Sequence, residues 1–161
     1  MYLFGTGKRV EAEAKTRQII ELDPNFWLPY QWLCCDRMVH GLIPEALPFA
    51  EKAYSLAPSD WSAAGLLAGI LDRIGTNART KQLLERLGDR VAFGAPMGWI
   101  PYHVARSEMD LAMDWFEKLI EQHDTRAPWI VPHLYGDLIL CHPRWPDLAR
   151  KMNLPSPPVH G

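Results

Sequence analysis

The chain has 161 residues, 48% hydrophobic and 22% charged, with a formal net charge of −2. That composition is too apolar and too weakly charged for disorder, and a chain of this length buries roughly 70% of its unfolded surface without a metal or disulfide. Lys and Arg (17) do not outnumber Asp and Glu (19), so no basic excess exists to drive counterion release, and a nucleic-acid partner is not expected.

Apolar periodicity predicts helices over 9–22, 26–40, 43–56, 60–74, 77–88, 97–106 and 109–123. Asp23-Pro24-Asn25 and Pro58-Ser59-Asp60 supply turns between them, with Asp60 placed to cap the helix that opens at Trp61. Pro48 sits inside the third segment, which predicts a late helix start or a bend. No long stretch alternates with period two, so a sheet is not expected. Trp129-Ile130-Val131 is the one strand-like run, bracketed by Pro128 and Pro132, and Pro155 to Pro158 reads as a frayed tail.

One offset organises these elements. Gly7, Gly41 and Gly75 are spaced by 34 residues, and so are Pro24 and Pro58, Trp27 and Trp61, Leu33 and Leu67, Leu22 and Leu56, and Glu11-Ala12 and Glu45-Ala46. Glycine takes the left-handed conformation that ends one helix and frees the next to reverse. A small Ala five residues on lets paired helices approach, and Leu-x-Pro closes the unit.

The pattern resembles the tetratricopeptide repeat family. Tyr30, Leu33, Cys34, Gly41, Ala46, Ala50, Ala53 and Pro58 carry the match in one unit, and Leu67, Ala68, Gly75, Leu84 and Leu87 in the next. Gly7, Ala12, Leu22 and Pro24 form the second half of an earlier unit. Ala64, Thr80 and Ala92 depart from the family's aromatic, Ala and Pro. The resemblance implies an all-α superhelix of antiparallel helix pairs, with a partial unit at 1–25, units at 26–59 and 60–92, and a degenerate unit at 93–124 in which Ser107 replaces the turn glycine. An irregular segment with short helices follows at 125–161. Residues 97–155 are more specifically similar to the C-terminal repeat region of bacterial multidomain regulators associated with adenylate-cyclase, protein-kinase or winged-helix domains.

An odd number of cysteines, two of them adjacent, implies reduced thiols and a cytoplasmic setting. The longest apolar stretch, Ala63 to Leu71, is far short of the ~20 residues a bilayer needs, so no membrane partner is expected, and Met1 to Phe4 is too short for a signal core. Candidate chemistry is thin. His103, His123, His133, Cys141 and His142 lack structural-zinc spacing, Cys34 and Cys35 have no local activating base, and Gly5-Thr6-Gly7-Lys8 lacks a phosphate loop's full glycine spacing. No cofactor, metal site or catalysis is expected. Trp27, Trp61, Trp115 and Trp145 are expected between stacked helices, and Trp99 and Trp129 partly exposed.

Function then rests on geometry. The groove-facing positions that the resemblance implies are Leu28, Gln31, Cys35, Met38 and Val39, then Ser62, Gly65, Gly69, Asp72 and Arg73, with Trp99 beside them. They suggest a groove that takes a bulky apolar segment near Gly65 and Gly69. They hold neither the Lys nor the Asn with which the family's chaperone-tail binders clamp a carboxylate. The expectation is a non-enzymatic module binding a peptide, a neighbouring domain or a second copy, with a homodimer formed through an open apolar edge on the helix from Lys8 to Leu22. The alternative is a ligand-sensing domain that holds a small apolar molecule beside Trp99 or Trp129 under the 124–145 segment.

Overall fold

The computed structural model describes residues 8–88, 92–128 and 134–154. Among these the chain is all helix, with no strand. The helices are α1 (Arg9–Leu22), α2 (Trp27–Val39), α3 (Ile43–Leu56), α4 (Trp61–Arg73), α5 (Asn77–Leu87), α6 (Pro96–Ala105), α7 (Met109–Glu121), α8 (Asp137–Leu140) and α9 (Trp145–Lys151). Trp129 to Val131, His133, Gly5 to Gly7 and the Pro155 to Pro158 tail lie outside the described residues.

Short turns fold α2 onto α3, α4 onto α5 and α6 onto α7; α1 leans on α2, and α9 on α7. One device ends the first helix of each hairpin. Gly41 (φ 74°), Gly75 (φ 85°) and Ser107 (φ 63°) are all left-handed. The next amide reaches back five residues in each case: Leu42 to the Arg37 carbonyl at 2.8 Å, Thr76 to Leu71 at 2.9 Å and Glu108 to His103 at 2.9 Å. This bond satisfies a carbonyl that the helix end would otherwise leave bare. His123 and Asn153 repeat the left-handed turn after α7 and α9.

Asp60 caps α4 as expected, its carboxylate accepting from the Ala63 amide at 2.9 Å. The late start at Pro48 is not seen: the helix begins at Ile43 and runs through it. Pro48 cannot donate to the Pro44 carbonyl, but both prolines face solvent, where water takes the missing bond.

Packing is deepest at α4 and α6. Every residue from Ser62 to Leu71 and from Pro96 to Ala105 is buried. Trp115 and Trp145 are buried between helices, whereas Trp27 and Trp61 are half-buried. Trp99 is 3% exposed, against the expectation of partial exposure, because it stacks on Trp115 at 5.7 Å between α6 and α7. On α7, Ala112, Trp115, Phe116 and Leu119 fall on one stripe and are buried. Phe116 stacks on Trp145 at 6.3 Å, and Arg144 binds Asp114 and Glu117 at 2.5 and 2.7 Å, which seats α9.

Candidate partner-binding groove

The inner faces of α2 and α4 are not an open channel. On α2, Gln31, Cys35 and Met38 are 1%, 2% and 5% exposed, and only Leu28 and Val39 at its ends are half-buried. On α4, Ser62, Gly65 and Gly69 are buried. The notion that Gly65 and Gly69 leave room for a bulky partner segment is corrected, because α6 takes that room. A methyl on Gly65 would stand 1.9 Å from the Gly98 carbonyl oxygen, and one on Gly69 would stand 2.5 Å from the Tyr102 carbonyl oxygen. The small residues let two backbones touch, which is why α4 and α6 are the most heavily buried pair.

Asp72 and Arg73, the charged pair at the end of the row, bind within the chain. Asp72 pairs with Arg106, and the Tyr102 hydroxyl donates to it at 3.4 Å. Arg73 donates to the Ala105 carbonyl at 3.2 Å and to the Ser107 hydroxyl at 3.3 Å, closing the C-terminal end of α6. Arg106 also binds Glu108 at 2.7 Å, and Glu108 lies 2.8 Å from His103 Nδ1. The Arg106 guanidinium foremost, with His103, holds the Glu108 carboxyl down at about 2.

The core also takes in a segment that sequence reasoning missed. Tyr135 is 1% exposed and Ile139, four residues on, is 0% exposed. Burial pushes the Tyr135 phenol well above its ordinary range, and the adjacent Cys35, Cys34 and Asp60 add to the push. The same burial raises both thiols, Cys35 to about 12, so neither is a ready nucleophile. The signal available in the sequence is the pair of apolar dipeptides Leu134-Tyr135 and Leu138-Ile139, offset by one helical turn.

Two accessible clefts border α4 and α6. At their N-terminal ends is a cleft of about 270 Å³ lined by Ser59, Asp60, Trp61, Ser62, Phe93, Gly94, Met97 and Arg126. Phe93 is 69% exposed there. Gly94, left-handed at φ 84°, lies against the Trp61 ring and the Arg126 guanidinium, and its amide donates to Gln122 Oε1 at 3.1 Å. Arg126 is held by Asp124 at 2.8 and 2.5 Å. Ser62 accepts a 2.6 Å bond from Gln31 Nε2, linking the cleft to α2. A second cleft, about 470 Å³, runs along α5 and is lined by Asp72, Thr80, Lys81, Leu84, Glu85, Gly88 and Trp99. Among the described residues, no three His, Cys, Asp or Glu side chains are grouped to hold a metal ion, and no helix is long and apolar enough to cross a membrane.

Comparison with protein-family models, with curated proteins and with solved structures finds no match for this chain.

Proposed function

We propose that the chain is a non-enzymatic protein-interaction module of the tetratricopeptide kind, working in the cytoplasm within a larger bacterial regulator. The observation that carries this reading is the recurrence of one left-handed turn at Gly41, Gly75 and Ser107: the first two are 34 residues apart, matching the sequence period, and the third follows in the degenerate unit after 32. Such arrays present surfaces built by neighbouring units. The surface best suited to a peptide is the cleft at the first turns of α4 and α6. Its exposed Phe93 offers an aromatic anchor, and Ser62, Asp60 and Arg126 offer polar contacts around it.

Peptide display against the whole chain tests this reading. A consensus sequence should emerge, and titration by fluorescence anisotropy should show binding weakened about tenfold or more by Phe93→Ala or Arg126→Ala. Displayed peptides with no consensus, or binding indifferent to both substitutions, count against it.

Two further proposals have their own support. Val10 and Leu22 on α1 are 86% and 87% exposed, which favours a homodimer through that edge; light scattering at monomer mass removes it. The cleft beside Trp99 favours a ligand-sensing role, which thermal stabilisation by small metabolites but not by peptides would distinguish.

A further inference from the structure

The cleft where α4 and α6 begin holds three groups suited to an anion, and each is already engaged within the chain. The start of α4 is served by the Asp60 carboxylate, which accepts from the Ala63 amide at 2.9 Å. At the start of α6, Pro96 has no N–H, and the amides after it are spent: Met97 donates to the Gly94 carbonyl at 2.9 Å and Gly98 to the Ala95 carbonyl at 3.0 Å. Arg126 is gripped through Nε and Nη2 by the Asp124 carboxylate, a side chain only 4% exposed. An anionic partner would have to break one of these bonds before making its own.

What the cleft leaves unspent is of the opposite kind. Among the described residues, the Asp60 side chain accepts one hydrogen bond, on Oδ1, and is ion-paired with no cation. Its Oδ2 keeps its lone pairs on a half-buried residue that lines the cleft. Beside it stand the exposed Phe93 and the half-buried Trp61, and aromatic faces attract cations. Asp60 and Asp124 set two carboxylates against the one guanidinium of Arg126. The partial positive charge at the start of α4 is smaller than the unit charge of the carboxylate that already sits on it.

We infer that this cleft takes a lysine or arginine side chain of the partner peptide, its cationic head at Asp60 Oδ2 and its aliphatic stem along Phe93 and Trp61. The inference rests on the interaction reading above and names the chemistry of the partner at that same site. A long basic side chain suits such a place because its stem covers apolar surface while its head stays at the wet rim. Arg126 does not repel it, since Asp124 neutralises the guanidinium. Nη1 of Arg126, which Asp124 does not hold, suits a neutral carbonyl of the peptide backbone, so the two contacts are compatible.

Peptides displayed against the whole chain should converge on a motif with Lys or Arg at one fixed position. A fluorescent peptide carrying that motif is then titrated by anisotropy. Replacing its basic residue by Met keeps an unbranched stem and drops the charge, and should weaken binding about tenfold. Asp60→Asn keeps the α4 cap, because Asn caps a helix as well as Asp does. It should weaken the basic peptide about fivefold and leave the Met peptide within about twofold. A motif bound through Phe93 that lacks a base, or carries an acid in its place, overturns the inference and leaves the interaction reading standing. An Asp60→Asn chain that binds the basic peptide as tightly as the unaltered chain overturns it too. Absence of any motif, or binding unmoved by Phe93→Ala and Arg126→Ala, overturns both. Should Asp60→Asn fail to fold, the Met substitution in the peptide decides alone.

Discussion

Gly65 on α4 and Gly98 on α6 meet backbone to backbone, so closely that a single added methyl on Gly65 would overlap the Gly98 carbonyl. No side chain can yield to relieve that overlap, since the obstruction is main chain on both sides. Gly65→Ala must push the helices apart along their full buried length. Unfolding in urea should show a loss of about 3 kcal/mol or more, at the top of the range for overpacked cores. A loss under 1 kcal/mol would mean that the two helices do not cross this closely.

The hairpin turns give a paired prediction of opposite sign. Ser107 holds the same left-handed position that Gly41 and Gly75 hold, and an L side chain is strained there. Ser107→Gly should stabilise the chain by about 0.5–1 kcal/mol, less whatever its 3.3 Å bond from Arg73 contributes. Gly41→Ala meets no steric neighbour, so its expected cost of about 1 kcal/mol is conformational alone. Thermal melts of both variants check the signs.

These positions also show what is legible in the sequence alone. The turn residues and the helix bounds are local: periodicity sets the segments, Asp60 announces where one starts, and Gly41, Gly75 and even Ser107 announce where they stop. Pro48 misleads as a sign of where the helix starts, because its effect depends on whether the lost bond faces water, which is a tertiary fact. The groove residues mislead for a deeper reason. Small residues at Gly65 and Gly69 are equally suited to admitting a partner or a neighbouring helix, and only the position of α6 decides. Tyr135 and Arg126 come from a segment with weak periodicity, so nothing local ties them to the core or to the cleft.

The first helix is held by charge more than by oil. Only Ala12 and Thr16 of α1 are buried. Arg9 makes a two-pronged pair with Asp36 at 2.9 Å on each arm, and Arg37 bridges Asp36 and Glu13 at 2.5 and 2.6 Å. The Asp36 side chain is 3% exposed and serves both guanidiniums. Asp36→Ala leaves Arg37 buried with one acid fewer, and should cost about 2–3 kcal/mol with selective loss of α1 protection in hydrogen exchange. A uniform loss across all helices would show that α1 is not a separately held element.

Glu108 gives the acid response. Arg106 and His103 lower its carboxyl from an ordinary value of 4.5 to about 2 in the folded chain. A depressed folded value means that the unfolded chain takes up the proton first. The stabilisation is therefore fully present above about pH 4.5 and is lost as pH falls through the window towards about 2. The carboxylate is 30% exposed and partly screened, so the contribution is about 1–2 kcal/mol rather than the whole shift converted. Glu108→Gln removes the titrating group and leaves an amide that can still bond its neighbours. Urea midpoints measured from pH 6 to pH 2.5 should converge for the two proteins as pH falls, with the unaltered chain ahead only at the upper end. A constant gap across that range would assign the stabilisation to packing instead of charge.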